Sequence, residues 1–202
     1  MKLYFCDIQK EKENIEAFFS TLSEKDREDF SSLHPLRRLE KAAGRMLLSR
    51  AAMENGISGF TIEQNKFGKP YIHGDLHFNI SHSADLVMLA AHNSTVGIDV
   101  ERIREIDLNI TRKFATEKEK EYILSAPDAS EQYRRFFIIW TLKEAYIKAE
   151  GEGMHIPLKS IEFTVSHDLT VTSTNEKWQF KTYVTPDNYV YSVAAEKEEE
   201  DA

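Results

Sequence analysis

The chain has 202 residues, 41% hydrophobic and 30% charged, and a formal net charge of -8 at pH 7. These values describe an ordinary globular protein and exclude a disordered one. They argue against broad nucleic-acid binding, leaving only a local basic patch to hold phosphate. The single cysteine excludes an internal disulfide framework and a cysteine-built metal cluster, so Cys6 reads as a packed strand residue in a reducing cytoplasm. The opening apolar run is too short for a signal peptide and no later run is long enough to span a membrane, so a cytoplasmic protein with no membrane partner is expected.

In chain order, residues 2–8 predict a strand, and 11–22 and 23–33 two helices, with Ser23 and Asp26 suited to the second start. After Pro35, residues 36–55 predict a long helix stopped by Gly56. Arg37, Arg38, Lys41, Arg45 and Arg50 make it the most basic segment, as a solvated face or an anion site. Residues 60–65 alternate like a strand, and Phe67-Gly68-Lys69-Pro70 forms a turn. Residues 76–83 alternate again, and 86–92 is a continuous apolar strand. A turn at Asn93-Ser94-Thr95 predicts a hairpin into a strand at 96–101. Residues 107–114 predict a helical segment. Thr116 and Glu119 form a capping box opening a helix to Ser125, ended by Pro127. Strands are expected at 160–166, 169–174, 178–184 and 189–195, with short antiparallel connections. The acidic tail from Glu196 to Asp201 reads as a solvated, frayed end.

Residues 130–150 predict one helix stopped by Gly151 and Gly153. At about 100° per residue, Trp140, Glu144 and Lys148 form one stripe, while Ile138, Leu142, Tyr146 and Ala149 lie opposite. The helix is apolar nearly all round and therefore buried, so its charges need partners. The plain alternative is an i, i+4 pair between Glu144 and Lys148, worth a few tenths of a kcal/mol. Lys143 either meets a phosphate or reaches solvent, and Trp140 is expected to pack in the core.

In Val96-Gly97-Ile98-Asp99-Val100-Glu101, strand alternation puts Ile98 and Val100 on one face and Asp99 and Glu101 on the other, about 7 Å apart. Two acids on one face repel each other unless solvated or relieved by a cation. Oxygen-only ligands suit Mg²⁺ or Mn²⁺, and Glu144 is the candidate third carboxylate. The spacing alone does not show that these acids meet.

The pair Val96–Glu101 and Trp140–Gly151, the helical stretch with Arg112-Lys113-Phe114 between them, Phe78-Asn79-Ile80-Ser81-His82-Ser83 and Phe67-Gly68-Lys69-Pro70 together resemble the 4′-phosphopantetheinyl transferases of the surfactin-type branch. The resemblance spans about residues 36–190. It implies an α+β fold of two similar lobes related by a pseudo-twofold, each a small mainly antiparallel sheet packed with helices. The lobes would be residues 1–95 and 96–202, in a monomer with coenzyme A in the cleft between them. It implies Asp99, Glu101 and Glu144 as Mg²⁺ ligands, with Glu144 and Lys148 catalytic and Lys148 on the diphosphate. Ser81 and His82 would contact phosphates of coenzyme A, and Lys69 and Pro70 would line the adenosine 3′-phosphate and base pocket. One position departs from the pattern. The family usually places an Arg five residues before the Arg of its long N-terminal helix, and this sequence has Glu40, with Arg37, Arg38 and Lys41 nearby.

The activity implied is transfer of the phosphopantetheine group of coenzyme A to a serine of an apo acyl, peptidyl or polyketide carrier protein, releasing 3′,5′-ADP. Apolar residues from Met154 to Leu158 are candidates for carrier contact. The carboxylates alone would equally allow a Mg²⁺-dependent hydrolase of a nucleotide diphosphate. A non-catalytic coenzyme A or carrier-binding protein is the third reading.

Overall fold

The computed structural model describes residues 1–197, apart from the side chain of Met154; most of the acidic tail lies outside them. The elements in chain order are β1 (Lys2–Asp7), α1 (Lys12–Thr21), α2 (Glu24–Ser31), α3 (Pro35–Glu54), β2 (Glu63–Gln64), β3 (Pro70–Tyr71), β4 (His77–Ser83), β5 (Leu86–His92), β6 (Val96–Arg102), α4 (Thr111–Phe114), α5 (Glu117–Leu124), α6 (Ala129–Glu150), β7 (Phe163–Val165), β8 (Val171–Ser173), β9 (Trp178–Val184) and β10 (Tyr189–Glu196). The fold class is α+β with small antiparallel sheets.

Two three-stranded sheets dominate, in the orders β1-β5-β4 and β6-β10-β9. Each is assembled the same way: a first strand, a run of helices ending in a long one, then a hairpin whose last strand inserts between the first and its own partner. The expected hairpin through Asn93-Ser94-Thr95 does not form. Ala84 and Asp85 make the tight turn instead, with Ser83 facing Leu86 and Ala84 at φ 50°. Both edges of β5 are then taken by β4 and β1, so residues 93–95 carry the chain into the second sheet. The strand expected at 60–65 contracts to a two-residue pairing of β2 with β3.

Burial divides the same way. One cluster, including Ile15, Leu48, Phe78 and Leu89, sits between α3 and the first sheet. A second, including Phe136, Ile139, Leu142 and Phe180, surrounds α6. Met88 and Ala90 of the first sheet join Ile98, Val100 and Val193 of the second in a third cluster. Trp140 packs at the margin of the α6 core, edge-on to Phe114 with ring centroids 5.1 Å apart. Cys6 is fully buried in β1, and burial pushes its thiol up to about 12. No described helix is long and apolar enough to cross a membrane.

The helix carrying most of the candidate site starts and stops on local signals. Asp128 caps α6 by accepting from the Glu131 amide at 2.9 Å. Gly151 ends it in the left-handed region at φ 74°. Within α6, Lys143 neither meets a phosphate site nor reaches solvent. It is fully buried, 2.8 Å from a Glu119 oxygen, and also donates to the Ile161 carbonyl. The same Glu119 closes the α5 capping box through Thr116 and accepts from the Phe163 amide. A charge this deep needs such a fully bonded partner.

Candidate active site between the two sheets

The site lies where the open edges of two sheets meet, β4 of the first and β6 of the second. The edges are bridged by alternate β4 side chains. Asn79 accepts from the Ile98 amide at 2.9 Å, Ser81 from Val100 at 3.3 Å and Ser83 from Arg102 at 3.1 Å. Exposed strand edges invite unwanted pairing, and this ladder caps them without main-chain bonds. The intervening residues face the other way: Phe78 lies in the first core and Ile80 packs against it, while His82 meets α3. Adjacent strand residues point to opposite faces, so Ser81 and His82 do not share one.

On β6 the same alternation turns Gly97 and Asp99 toward α6. A Cβ on Gly97 would stand 2.1 Å from the Ala145 carbonyl oxygen and 2.4 Å from the Ala149 nitrogen. The absent side chain, with two alanines one helical turn apart, lets α6 lie directly on β6. That approach brings Lys148 over Asp99, with Nζ 2.6 Å from Oδ1. Lys148 also donates to Ser81 Oγ at 3.0 Å, and Ser81 donates to Asp99 Oδ1 at 2.9 Å. The ammonium is therefore directed at Asp99, and the i, i+4 alternative is not realised: among the described residues Glu144 forms no ion pair with Lys148.

Negative charge is in surplus here. Asp99 Oδ2 is buried and has no hydrogen-bond partner among the described residues. Burial raises the Asp99 pKa, and outweighs the opposing pull of Lys148. Burial raises Glu144 too, followed by the charge of Asp99, with a smaller push from Glu101. The three acids thus feel one another, although among the described residues no three of them stand close enough to form a finished metal cage. Glu101 is held by Ser83 at 2.9 Å and Arg104 at 3.1 Å. An orphaned buried carboxylate oxygen, an all-oxygen donor set and mutual repulsion fit a hard divalent cation such as Mg²⁺.

A cleft of about 210 Å³ opens beside this centre, lined by Phe67, Lys69, Pro70, Asn79, Lys148 and Gly151 among others. Lys69 and Pro70 are thereby brought to the same cleft as Lys148. Lys69 Nζ is engaged with main-chain oxygens, donating to Ala149 at 2.9 Å and Val96 at 3.2 Å. Burial lowers its pKa to about 8, against the attraction of Glu150. Asn65 reinforces the contact by donating to the Gly151 carbonyl at 2.9 Å. Ile156 and Leu158, expected to offer apolar surface, are half-buried against the α6 core.

The family model of the 4′-phosphopantetheinyl transferase superfamily matches residues 95–194, which hold β6, α6 and the strands around them. The 4′-phosphopantetheinyl transferase Sfp of Bacillus subtilis (strain 168) is 30% identical over 211 aligned residues, covering 96% of this chain and 92% of that protein. This chain belongs to the 4′-phosphopantetheinyl transferase superfamily. The transferase gsp of Aneurinibacillus migulanus is 43% identical over 124 residues, a match covering 61% of this transferase and 52% of that protein's length. The holo-[acyl-carrier-protein] synthase of Thermotoga maritima overlaps 54% of this chain and 66% of its own, at 20% identity and TM-score 0.44, too little to bear on the transferase site.

Around that site one residue had no role in the sequence reading beyond standing where an Arg was expected. Glu40 of α3, 7% exposed, is 3.0 Å from the Arg37 guanidinium and 3.4 Å from His82 Nδ1. The available signal was an acid set between Arg37, Arg38 and Lys41 on the basic first half of one helix.

Proposed function

We propose that this chain transfers the 4′-phosphopantetheine of coenzyme A to a serine of an apo carrier protein and releases 3′,5′-ADP. It would act as a cytoplasmic monomer whose lobes, 1–95 and 96–202, enclose coenzyme A. The observation carrying this reading is the orphaned Asp99 oxygen beside Lys148, the lysine that lines the adjoining cleft. Asp99, Glu101 and Glu144 would hold Mg²⁺, or Mn²⁺ in its place. The bound ion would supply positive charge to the diphosphate.

The chain's own groups account for the remaining steps. Lys148 carries three donors, of which Asp99 and Ser81 take two. The third is left for the α-phosphate, where charge grows as its bond to the β-phosphorus breaks. The carrier serine oxygen forms the new bond to that β-phosphorus. Glu144, whose pKa is raised by burial and by Asp99, would accept the serine proton, directly or through a water. His82 and Lys69 with Pro70 would bind the phosphates and adenosine end of coenzyme A. For Lys69 this requires exchanging a main-chain carbonyl for the 3′-phosphate.

Intact-mass analysis of apo-carrier proteins incubated with enzyme, coenzyme A and Mg²⁺ tests the reading. One phosphopantetheine should be gained per carrier serine. Glu144→Gln should fold normally and transfer about 100-fold more slowly, the scale of one lost electrostatic contribution. Degradation of coenzyme A with no change in carrier mass would assign the chain to hydrolysis instead.

A further inference from the structure

Glu40 lies outside the Asp99–Lys148 centre, but its two carboxylate oxygens face two basic side chains from different elements. One oxygen meets Arg37 on its own helix at 3.0 Å and the other faces His82 of β4 at 3.4 Å. Arg37 in turn contacts His82 Nε2 at 3.1 Å. A guanidinium can only donate, so Nε2 accepts and the ring proton sits on Nδ1, toward Glu40. The carboxylate therefore selects the tautomer and fixes the ring plane.

The exposures differ sharply. The Glu40 side chain is 7% exposed, that of His82 37% and that of Arg37 61%. The acid is the buried anchor and the two basic groups are its outer face. His82 follows Ser81 in β4, and the Ser81 hydroxyl bonds both Lys148 and Asp99, so this outer face lies one residue along the strand from the reaction centre. A buried acid beside an anion site would weaken binding if it acted only by repulsion. Here its charge is already matched by Arg37, and the groups presented outward are donors.

Resting on the coenzyme A reading above, we infer that Glu40 is a positioning residue: it holds Arg37 and His82 as a two-pronged donor pair for a phosphate of the nucleotide substrate. When the anion arrives, Arg37 turns its exposed guanidinium from Nε2 to the phosphate. His82 takes a proton at Nε2 and becomes the second donor, with Glu40 stabilising the imidazolium through Nδ1–H.

The test is calorimetric titration of the full chain with coenzyme A and with 3′,5′-ADP, without carrier, on the parent, Glu40→Gln, His82→Ala and the double variant, with melting temperatures alongside. Glu40→Gln keeps the shape and so the fold; Glu40→Asp serves as the conservative rescue. Glu40→Gln should weaken coenzyme A binding about tenfold, the scale of one charge-assisted hydrogen bond. In the His82→Ala background the same change should weaken it clearly less, because part of its effect has already been removed. Glu40→Asp should recover part of the loss. Full additivity, unchanged affinity, or tighter binding in Glu40→Gln overturns the positioning role while leaving the transfer reading intact. A parent that binds neither ligand overturns both.

Discussion

Replacing Asp99 by Asn should make the metal-free protein more stable while disabling it. The carboxylate has one oxygen bonded to Lys148 and Ser81 and the other buried with no partner among the described residues. An unsatisfied buried polar atom costs about 1–3 kcal/mol, more when charged. Asparagine keeps an acceptor for Lys148 and Ser81, removes the buried charge and ends its repulsion with Glu144 and Glu101. Against this stands the lost attraction to Lys148, since breaking a buried ion pair costs about 3–5 kcal/mol. That figure applies to a partner stranded out of water. The Lys148 side chain is 28% exposed against 7% for Asp99, and Glu144 and Glu101 remain nearby. The surplus-charge effect should therefore win, by about 1 kcal/mol at pH 8, or about 3 °C in melting temperature for a chain of this size. The sign with pH follows from linkage. The folded-state pKa of Asp99 is raised, so the parent loses stability as pH rises through it, and Asp99→Asn does not. The advantage of the variant should grow as pH rises above the ordinary Asp range. Thermal unfolding with a chelator, then with added Mg²⁺, measures both halves: Mg²⁺ should raise the parent's melting temperature and leave the variant's unchanged. A variant several degrees less stable at pH 8 without metal would show the Asp99–Lys148 pair to be a net structural bond, and would refute the surplus-charge argument.

Two further outcomes are expected. Gly97→Ala should destabilise by about 3 kcal/mol, because its Cβ meets helix backbone that cannot yield. Gly44→Ala, whose Cβ would lie 3.3 Å from a movable Ile80 methyl, should stay within about 1 kcal/mol of the parent, helix propensity offsetting the crowding; similar losses in the two melting curves would contradict the close-approach argument. Lys69 is lowered to about 8 in the folded state from an ordinary 10.5. Between those values the unfolded chain holds a proton the folded one has released, so parent stability should rise with pH relative to Lys69→Met. A stability difference between the two that stays flat across that window would show Lys69 to be unperturbed.

What the sequence disclosed and what it hid divide along physical lines. α6, the Thr116–Glu119 capping box and the alternating faces of β4 and β6 rest on local periodicity and caps, which a single sequence carries. Strand pairing does not. The Asn93-Ser94-Thr95 turn looks as suitable for a hairpin as Ala84-Asp85, and only the competition of β1 and β4 for the edges of β5 decides between them. The joint motif pattern pointed to the family, and the spacing put Asp99 and Glu101 on one face. The partners of Lys143 and Lys69, from 18 to 80 residues away, could not be read from spacing. Lys143 gave one usable warning, a charge on a helix apolar nearly all round. Its partner Glu119 was already visible as a capping residue, and nothing local marks an acid as serving twice.

The placement of the site follows from how the two edges are closed. The Asn79, Ser81 and Ser83 ladder takes up the amides of Ile98, Val100 and Arg102 on one edge of β6, while β10 pairs with the other. The side chains between those amides are left to α6. Gly97 yields its volume to the helix, and Asp99 receives the lysine one turn beyond Glu144. A sheet continued by ordinary main-chain pairing would have needed no Ser81 at this position, and Asp99 and Lys148 would each have lost a partner beyond the other. The same serine thus bridges the sheets and bonds both members of the charge pair. A Ser81→Ala change should consequently loosen the junction and leave Lys148 held by Asp99 alone, lowering the melting temperature and any transfer rate together; a rate that falls with no change in melting temperature would contradict the coupling.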